Sequence, residues 1–313
     1  MKPLIILTGP TAVGKTELSI RLAKAVNGEI ISADSMQVYK KMDIGTAKIR
    51  PEEMQGVKHY LIDCLEPDED FNVVLFQKMA KDAMEKIYDA GHIPIIAGGT
   101  GFYIQALLYD INFDNVNEES EYRKYLKDMA DKEGNEVLHG MLAKVEKSAK
   151  DIHPNNVKRV IRALEYFHQT GKKISEHNEE QSQNVSPYNF VYFVLNDDRK
   201  LLYERIDRRV DEMFEEGLEQ EVKRLIDSGL TRENISMQGI GYKEMFDYFD
   251  GMYDIDTAKE LIKQDTRHFA KRQLTWFRRE KDVTWINYEN YNHSKDDMLE
   301  AMIEIIKNKQ GEI

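Results

Sequence analysis

Gly9-Pro10-Thr11-Ala12-Val13-Gly14-Lys15-Thr16 fits the pattern G-x-x-x-x-G-K-[ST]. It follows an apolar run, Leu4-Ile5-Ile6-Leu7, that reads as a buried parallel strand. It opens a helical pattern that continues through Leu18, Ile20, Leu22 and Ala25. Strand, glycine turn and helix are the context a phosphate-binding loop requires. Gly9 and Gly14 let the backbone curl so that several N–H groups converge on one anion. The helix N-terminus adds its positive dipole end. Lys15 reaches a terminal phosphate, and the Thr16 hydroxyl suits Mg²⁺. The plainer alternative is an ordinary glycine turn in a βαβ unit. The loop alone names neither the phosphate compound nor the reaction.

Working outward, residues 1–111 alternate strands and helices. Glu29-Ile30-Ile31-Ser32 reads as a second strand ending at Ala33-Asp34-Ser35. His59 to Asp63 reads as a short third strand. Phe71 to Ala90 has helical period, with Gly91 as its stop, and Ile93 to Ala97 is a buried strand ending in Gly98-Gly99-Thr100-Gly101. Apolar strands separated by helices predict a P-loop NTPase-like α/β fold: a parallel sheet with helices on both faces. Ligands in such sheets sit at the C-terminal strand ends. Gly9–Thr16, Asp34 and Gly98–Thr100 are therefore expected to share one crevice.

The composition changes near residue 112. Residues 112–186 are polar and helical in period, with helices expected at 122–130, 136–149 and 156–170; they read as an all-helical insertion. Residues 187–313 return to the core. Phe190 to Leu195 is expected as the last strand, followed by one helix over 199–228 and another over 257–281. The glycine-hinged stretch Gln238-Gly239-Ile240-Gly241-Tyr242 lies between them. Thr284 to Tyr288 is strand-like and 296–308 is an amphipathic helix.

The chain of 313 residues is long enough for a large core, with 41% hydrophobic and 32% charged residues. One cysteine, Cys64, excludes a disulfide framework and a cysteine-rich metal site. The N-terminal apolar run is too short to cross a membrane, so a cytoplasmic setting is expected. Net charge is −12, yet the cations are clustered. Lys263, Arg267, Lys271, Arg272, Arg278, Arg279 and Lys281 stand against only Asp265 and Glu280. Acidic residues gather at 66–70, 117–121 and 211–221.

Asp34 reads as a turn cap or as a carboxylate facing the phosphate loop, where it holds a metal or accepts a proton. No carboxylate follows the strand that ends at Gly98-Gly99-Thr100, which counts against ordinary nucleotide hydrolysis; Thr100 and Tyr103 become the side chains placed to touch substrate. Arg205 and Arg209 lie one helical turn apart. Either is a candidate for a leaving phosphate, and solvated pairing with Asp207, Asp211 or Glu212 is the alternative. Lys263, Arg267, Lys271 and Arg278 fall within an arc of roughly 80° on a helix, with Phe269 and Trp276 opposite as anchors. Such a ladder suits a phosphate backbone, as does Lys158-Arg159 with Arg162.

These stretches resemble the tRNA dimethylallyltransferases (tRNA isopentenyltransferases) of bacterial type along nearly the whole chain. The resemblance rests on the loop at 9–16, on Ser32 to Tyr39, and on Met42-Asp43-Ile44-Gly45-Thr46-Ala47-Lys48. It extends through His59 to Asp63, Gly98 to Tyr103, His153 to Asn156, Arg159, Arg162 to Glu165, Gly239 to Tyr242 and Ala270 to Arg278. It implies transfer of a dimethylallyl group from dimethylallyl diphosphate to N6 of adenosine 37 in the tRNA anticodon loop, releasing diphosphate. It implies that Gly9, Pro10, Thr11, Ala12, Val13, Gly14, Lys15 and Thr16 hold the diphosphate with Arg205 or Arg209, with Mg²⁺ on Thr16. Asp34, Thr100 and Lys15 are the implied catalytic groups. The implied tRNA contacts are Asp34, Ser35, Met36, Gln37, Thr100, Tyr103, Arg123, Lys158, Arg159, Arg162, Gly239, Gly241, Tyr242, Lys271, Arg272 and Arg278. The insertion would clasp the anticodon stem-loop, and the enzyme would act as a monomer without a membrane. A P-loop small-molecule kinase using ATP and a non-catalytic RNA-binding protein are the competing readings.

Overall fold

The computed structural model describes residues 1–113 and 121–311, so the acidic run at 117–121 lies almost wholly outside the described residues. The chain forms two compact units, one of residues 1–108 with 187–313 and one of residues 109–186.

The first unit is built on six parallel strands: β1 (Lys2–Thr8), β2 (Gly28–Ala33), β3 (His59–Tyr60), β4 (Ile93–Gly98), β5 (Tyr188–Asn196) and β6 (Val283–Asn287). Their order is β3-β2-β4-β1-β5-β6. β1 is central, with Leu7 opposite Ala97 on β4 and Phe193 on β5. Leu4 to Leu7 are fully buried. A strand buried on both faces has to be continuously apolar, which is why this run carries no alternation. Phe190–Leu195 is not the last strand, because β6 pairs beyond it, Val194 against Trp285 and Leu195 against Ile286. The Thr284–Tyr288 stretch is this edge.

The unit's first helices are α1 (Lys15–Ala25), α2 (Val73–Asp89) and α3 (Gly101–Leu108). The second unit contains α4 (Glu121–Glu133), α5 (Asn135–Val145), α6 (Val157–Thr170) and α7 (Ile174–Ser182). The first unit then resumes with α8 (Arg199–Glu216), α9 (Leu218–Asp227), α10 (Tyr242–Phe249), α11 (Ile255–Phe277) and α12 (Lys295–Gln310). The single helix expected over 199–228 is broken at Gly217, which adopts φ +103° and caps α8 through its N–H to the Phe214 carbonyl. α7 was not expected: its sequence, Ile-Ser-Glu-His-Asn-Glu-Glu-Gln-Ser, has no apolar stripe.

In the second unit Leu126, Leu138, Leu142, Val160 and Leu164 form a separate apolar core. A buried ion pair lies beside it. Arg123 donates to both carboxylate oxygens of fully buried Glu165, at 2.6–2.9 Å.

Candidate active site

The phosphate loop joins β1 to α1. At Gly9 (φ +149°) a Cβ would lie 2.6 Å from the Leu195 carbonyl oxygen, and Gly14 caps α1 at φ +98°. Only glycine fits both places. Lys15 folds back over the loop, donating to the carbonyls of Gly9 (3.0 Å) and Pro10 (2.8 Å). Burial, aided by the charge of Arg209, lowers its pKa to about 7, against the opposing pull of Asp34. A cation kept this uncomfortable gains much from an incoming anion.

Asp34 follows β2. One oxygen, Oδ1, accepts from the Met36 N–H (2.9 Å) and the Gln37 N–H (3.3 Å). The turn-cap reading is therefore correct, and it does not exhaust the carboxylate: Oδ2 has no hydrogen-bond partner among the described residues. The Thr100 N–H donates to the Ala33 carbonyl at 3.1 Å, which brings the ends of β2 and β4 side by side. Asp34 and Thr100 both line a cleft of about 450 Å³, with Thr11 and Ala12 from the phosphate loop and Arg209 from α8.

The two arginines separate. Arg209 lines the cleft, and burial lowers its pKa although Glu212 and Asp34 pull it up. Arg205 pairs instead with the carboxylate of Asp197, itself buried, and lies 5.6 Å over the Tyr288 ring. Of the expected pair, Arg209 lines the cleft and Arg205 does not. Tyr103 is not in the cleft lining: its ring stacks on Phe76 at 4.8 Å and meets Phe71 edge-on.

The opposite wall is the turn 43–47 with residues 239–243. Ser35, Met36, Gly239, Gly241 and Tyr242 all reach the cleft. Gln37 lies below it, donating to the carbonyls of Thr46 (3.2 Å) and Ala47 (3.3 Å). The turn is held by Glu221, whose carboxylate accepts from the N–H groups of Asp43 (2.9 Å), Ile44 (2.8 Å) and Gly45 (3.0 Å), and from the Tyr242 hydroxyl (2.7 Å). Buried Lys48 locks its far side, bonding the Tyr39 carbonyl, Asp43 and Asp63 at 2.6 Å each. Sequence reasoning missed Glu221. Its signal was a glutamate on the apolar stripe Leu218, Val222 and Leu225 of α9. Replacing Glu221 with alanine leaves four donors short of an acceptor, three part-buried N–H groups and the buried Tyr242 hydroxyl. We expect a loss of at least about 2 kcal/mol in denaturant unfolding, and a smaller loss, about 1 kcal/mol, for Tyr242→Phe.

A second missed residue is Gln273 on α11. Its Oε1 accepts from the Thr11 N–H (2.9 Å) and its Nε2 donates to the Gly99 carbonyl (3.0 Å), which ties α11 to the phosphate loop and to the end of β4.

The expected cation ladder on α11 is only half available. Lys263 pairs with Asp211 (2.9 Å) and Arg267 with Asp207. Lys271, Arg272 and Arg278 are exposed and have no acidic partner within 4.0 Å among the described residues. Phe269 is no core anchor, because it lines the cleft. In the second unit Lys158 and Arg159 are exposed at the start of α6, Arg162 is half-buried, and Arg123 is committed to Glu165.

Residues 37–280 match the family model described as IPP transferase. The chain belongs to the IPP transferase family. The matched stretch begins beyond the phosphate loop, so loop and family are separate observations. It contains the cleft residues Thr100, Arg209, Gly239–Tyr242 and Gln273, together with Glu221, and begins just after Asp34, Ser35 and Met36. The chain is 58% identical to the tRNA dimethylallyltransferase of Lachnoclostridium phytofermentans, over 99% of both chains. It is 49% identical to that of Acetivibrio thermocellus, over 93% of this chain and 94% of the other. Its structure resembles the full-length tRNA isopentenylpyrophosphate transferase of Bacillus halodurans (TM-score 0.74, 43% identity, 99% and 98% of the two chains). It also resembles a eukaryotic dimethylallyltransferase acting on tRNA (TM-score 0.84, 31% identity, 99% and 80%).

Proposed function

We propose that this IPP transferase moves a dimethylallyl group from dimethylallyl diphosphate to N6 of adenosine 37 in the anticodon loop of tRNA, with release of diphosphate. The observation that carries this reading is the juxtaposition of Arg209, Asp34 and Thr100 around one cleft, with Lys15 in an adjoining small cavity that Asp34 also lines and within the charge field of Arg209 and Asp34. Its relatives are named as tRNA transferases, which favours prenyl transfer over phosphorylation of a small molecule or passive RNA binding.

As the C1–O bond breaks, the carbon gains allylic cation character and charge collects on the leaving diphosphate. Lys15, released from the Gly9 and Pro10 carbonyls, and Arg209 and the loop N–H groups stabilise that charge. Adenine N6 is a weak nucleophile because its lone pair is delocalised into the ring. Asp34 Oδ2 takes its proton as the C–N bond forms, while Oδ1 stays on the Met36 and Gln37 N–H groups and fixes the carboxylate plane. Thr100 orients the N6 group. The target base reaches the cleft flipped out of its stack.

Thr16, Ser32 and Asp34 share a small cavity with Lys15. These hydroxyl and carboxylate oxygens fit Mg²⁺, which is bound by few protein ligands when phosphate oxygens supply the rest. When bound, Mg²⁺ supplies positive charge to the leaving diphosphate. Release of diphosphate from dimethylallyl diphosphate is expected to need both Mg²⁺ and unmodified tRNA; release at the same rate without RNA contradicts the reading.

The exposed cations of α11 take the tRNA backbone, and the second unit, with Lys158, Arg159 and Arg162, clasps the anticodon stem. The double variant Lys271→Ala with Arg278→Ala weakens tRNA binding and lowers the slope of log Kd against log salt by about 2. An unchanged slope, measured by filter binding, removes these residues from the interface. A cytoplasmic, monomeric enzyme is part of this proposal. Among the described residues no helix is long and apolar enough to cross a membrane.

A further inference from the structure

Glu221 of α9 is 2% exposed, and α9 contributes no residue to the cleft lining. The donors its carboxylate holds are all neutral: the N–H groups of Asp43, Ile44 and Gly45 and the Tyr242 hydroxyl. An uncharged acceptor would anchor a turn at a lower desolvation cost. A carboxylate, accepting through both oxygens, fixes three successive N–H groups at once. The turn it fixes is strained, because Ala47 adopts φ +47°, a backbone state that persists only where the surroundings impose it. Two further bonds brace the turn, from Thr46 Oγ1 to the Met42 carbonyl (2.6 Å) and from the Lys48 N–H to the Asp43 carbonyl (2.9 Å). Gly45, Thr46 and Ala47 of this turn line the cleft. From here the contacts run on to Asp34. Gln37 Nε2 donates to the carbonyls of Thr46 (3.2 Å) and Ala47 (3.3 Å), and the Gln37 N–H donates to Asp34 Oδ1 at 3.3 Å.

We propose that Glu221 is a positioning residue for Asp34, acting through the 43–47 turn and the Gln37 amide. This rests on the prenyl-transfer reading above, with Asp34 as the base, and extends it to a residue outside the cleft. A base has to sit within hydrogen-bond reach of the proton it takes, so a small displacement of its carboxylate costs rate. Of the two bonds that set the Asp34 carboxylate, the one from Gln37 is the longer, at 3.3 Å against 2.9 Å from Met36. It depends on where the Gln37 backbone lies, and the Gln37 side chain ties that backbone to the turn. Without the Glu221 carboxylate the N–H groups of residues 43–45 lose their acceptor. The turn then relaxes from the Ala47 conformation and carries the Thr46 and Ala47 carbonyls away from Gln37. The phosphate loop is no part of this path, so the diphosphate site is left as it is.

The test is a double-mutant cycle on the chemical step. Single-turnover transfer at saturating tRNA and dimethylallyl diphosphate is measured for the wild-type protein, Glu221→Gln, Asp34→Asn and the double variant. Glutamine keeps the size of the side chain, but its one carbonyl oxygen replaces only one of the two carboxylate oxygens. Glu221→Gln is expected to lower the rate by about 10- to 10²-fold, with the KM for dimethylallyl diphosphate within about twofold of wild type. In the Asp34→Asn background the same change is expected to cost less than about twofold, because the group it positions is already gone. Gln37→Leu cuts the path at its other end with Glu221 in place and is expected to give the same pattern, so the test stands even where Glu221→Gln folds poorly. A wild-type rate in either folded variant overturns the path. So does an equal loss in both backgrounds, and either result leaves the transferase reading standing. Full activity of Asp34→Asn, or a wild-type protein that transfers nothing to tRNA, overturns the reading on which the path rests as well.

Discussion

Replacing Asp34 with asparagine lowers turnover by about 10² or more while tRNA affinity stays within about twofold of wild type. The geometry makes asparagine the informative choice. Its side-chain oxygen still accepts from the Met36 and Gln37 N–H groups, so the turn after β2 is kept. What is lost is the basicity of Oδ2, the oxygen that carries no hydrogen bond among the described residues. Alanine would also remove the cap and disturb Met36, a cleft residue, so it mixes two effects. Single-turnover transfer at saturating tRNA separates chemistry from binding. A normal rate in Asp34→Asn means that the proton leaves by another route. A normal rate with weakened tRNA binding means that the carboxylate is an RNA contact and not a base.

Arg209→Leu lowers kcat/KM for dimethylallyl diphosphate by about 10² to 10³, the range for losing one preorganised charge at a developing anion. Arg205→Leu leaves turnover within about tenfold and instead lowers the unfolding midpoint, because it strands the buried Asp197 carboxylate. The contrast follows from placement. Arg209 lies in the field of Lys15 and Asp34, whereas Arg205 is spent on Asp197 and Tyr288. Equal kinetic losses in the two variants would mean that Arg205 exchanges partners during the reaction.

The phosphate loop was legible because its signal is local: two glycines, a lysine and a threonine between a strand and a helix. The crevice was legible for the same reason, since three strand ends in a parallel sheet must meet at one edge. What stayed hidden depends on partners distant in sequence. Arg205 and Arg209 are equivalent on a helical wheel; only Asp197, at the end of β5, tells them apart. Gln273 looks like any residue of α11 until Thr11 and Gly99, more than 170 positions away, are seen to bond its amide. The cation ladder failed in its first half because Asp207 and Asp211 belong to a neighbouring helix, α8, that pattern reading does not align with α11. Strand β6 was seen as strand-like, yet its place outside β5 is a property of pairing and not of composition.

The most direct test of the proposed reaction is label transfer. Protein, Mg²⁺ and radiolabelled dimethylallyl diphosphate are mixed with unmodified tRNA bearing adenosine 37, and in parallel with the same tRNA bearing guanosine at that position. Label in the adenosine tRNA alone is the predicted result. Equal label in both tRNAs, or label in neither, contradicts prenyl transfer to N6 of adenosine 37.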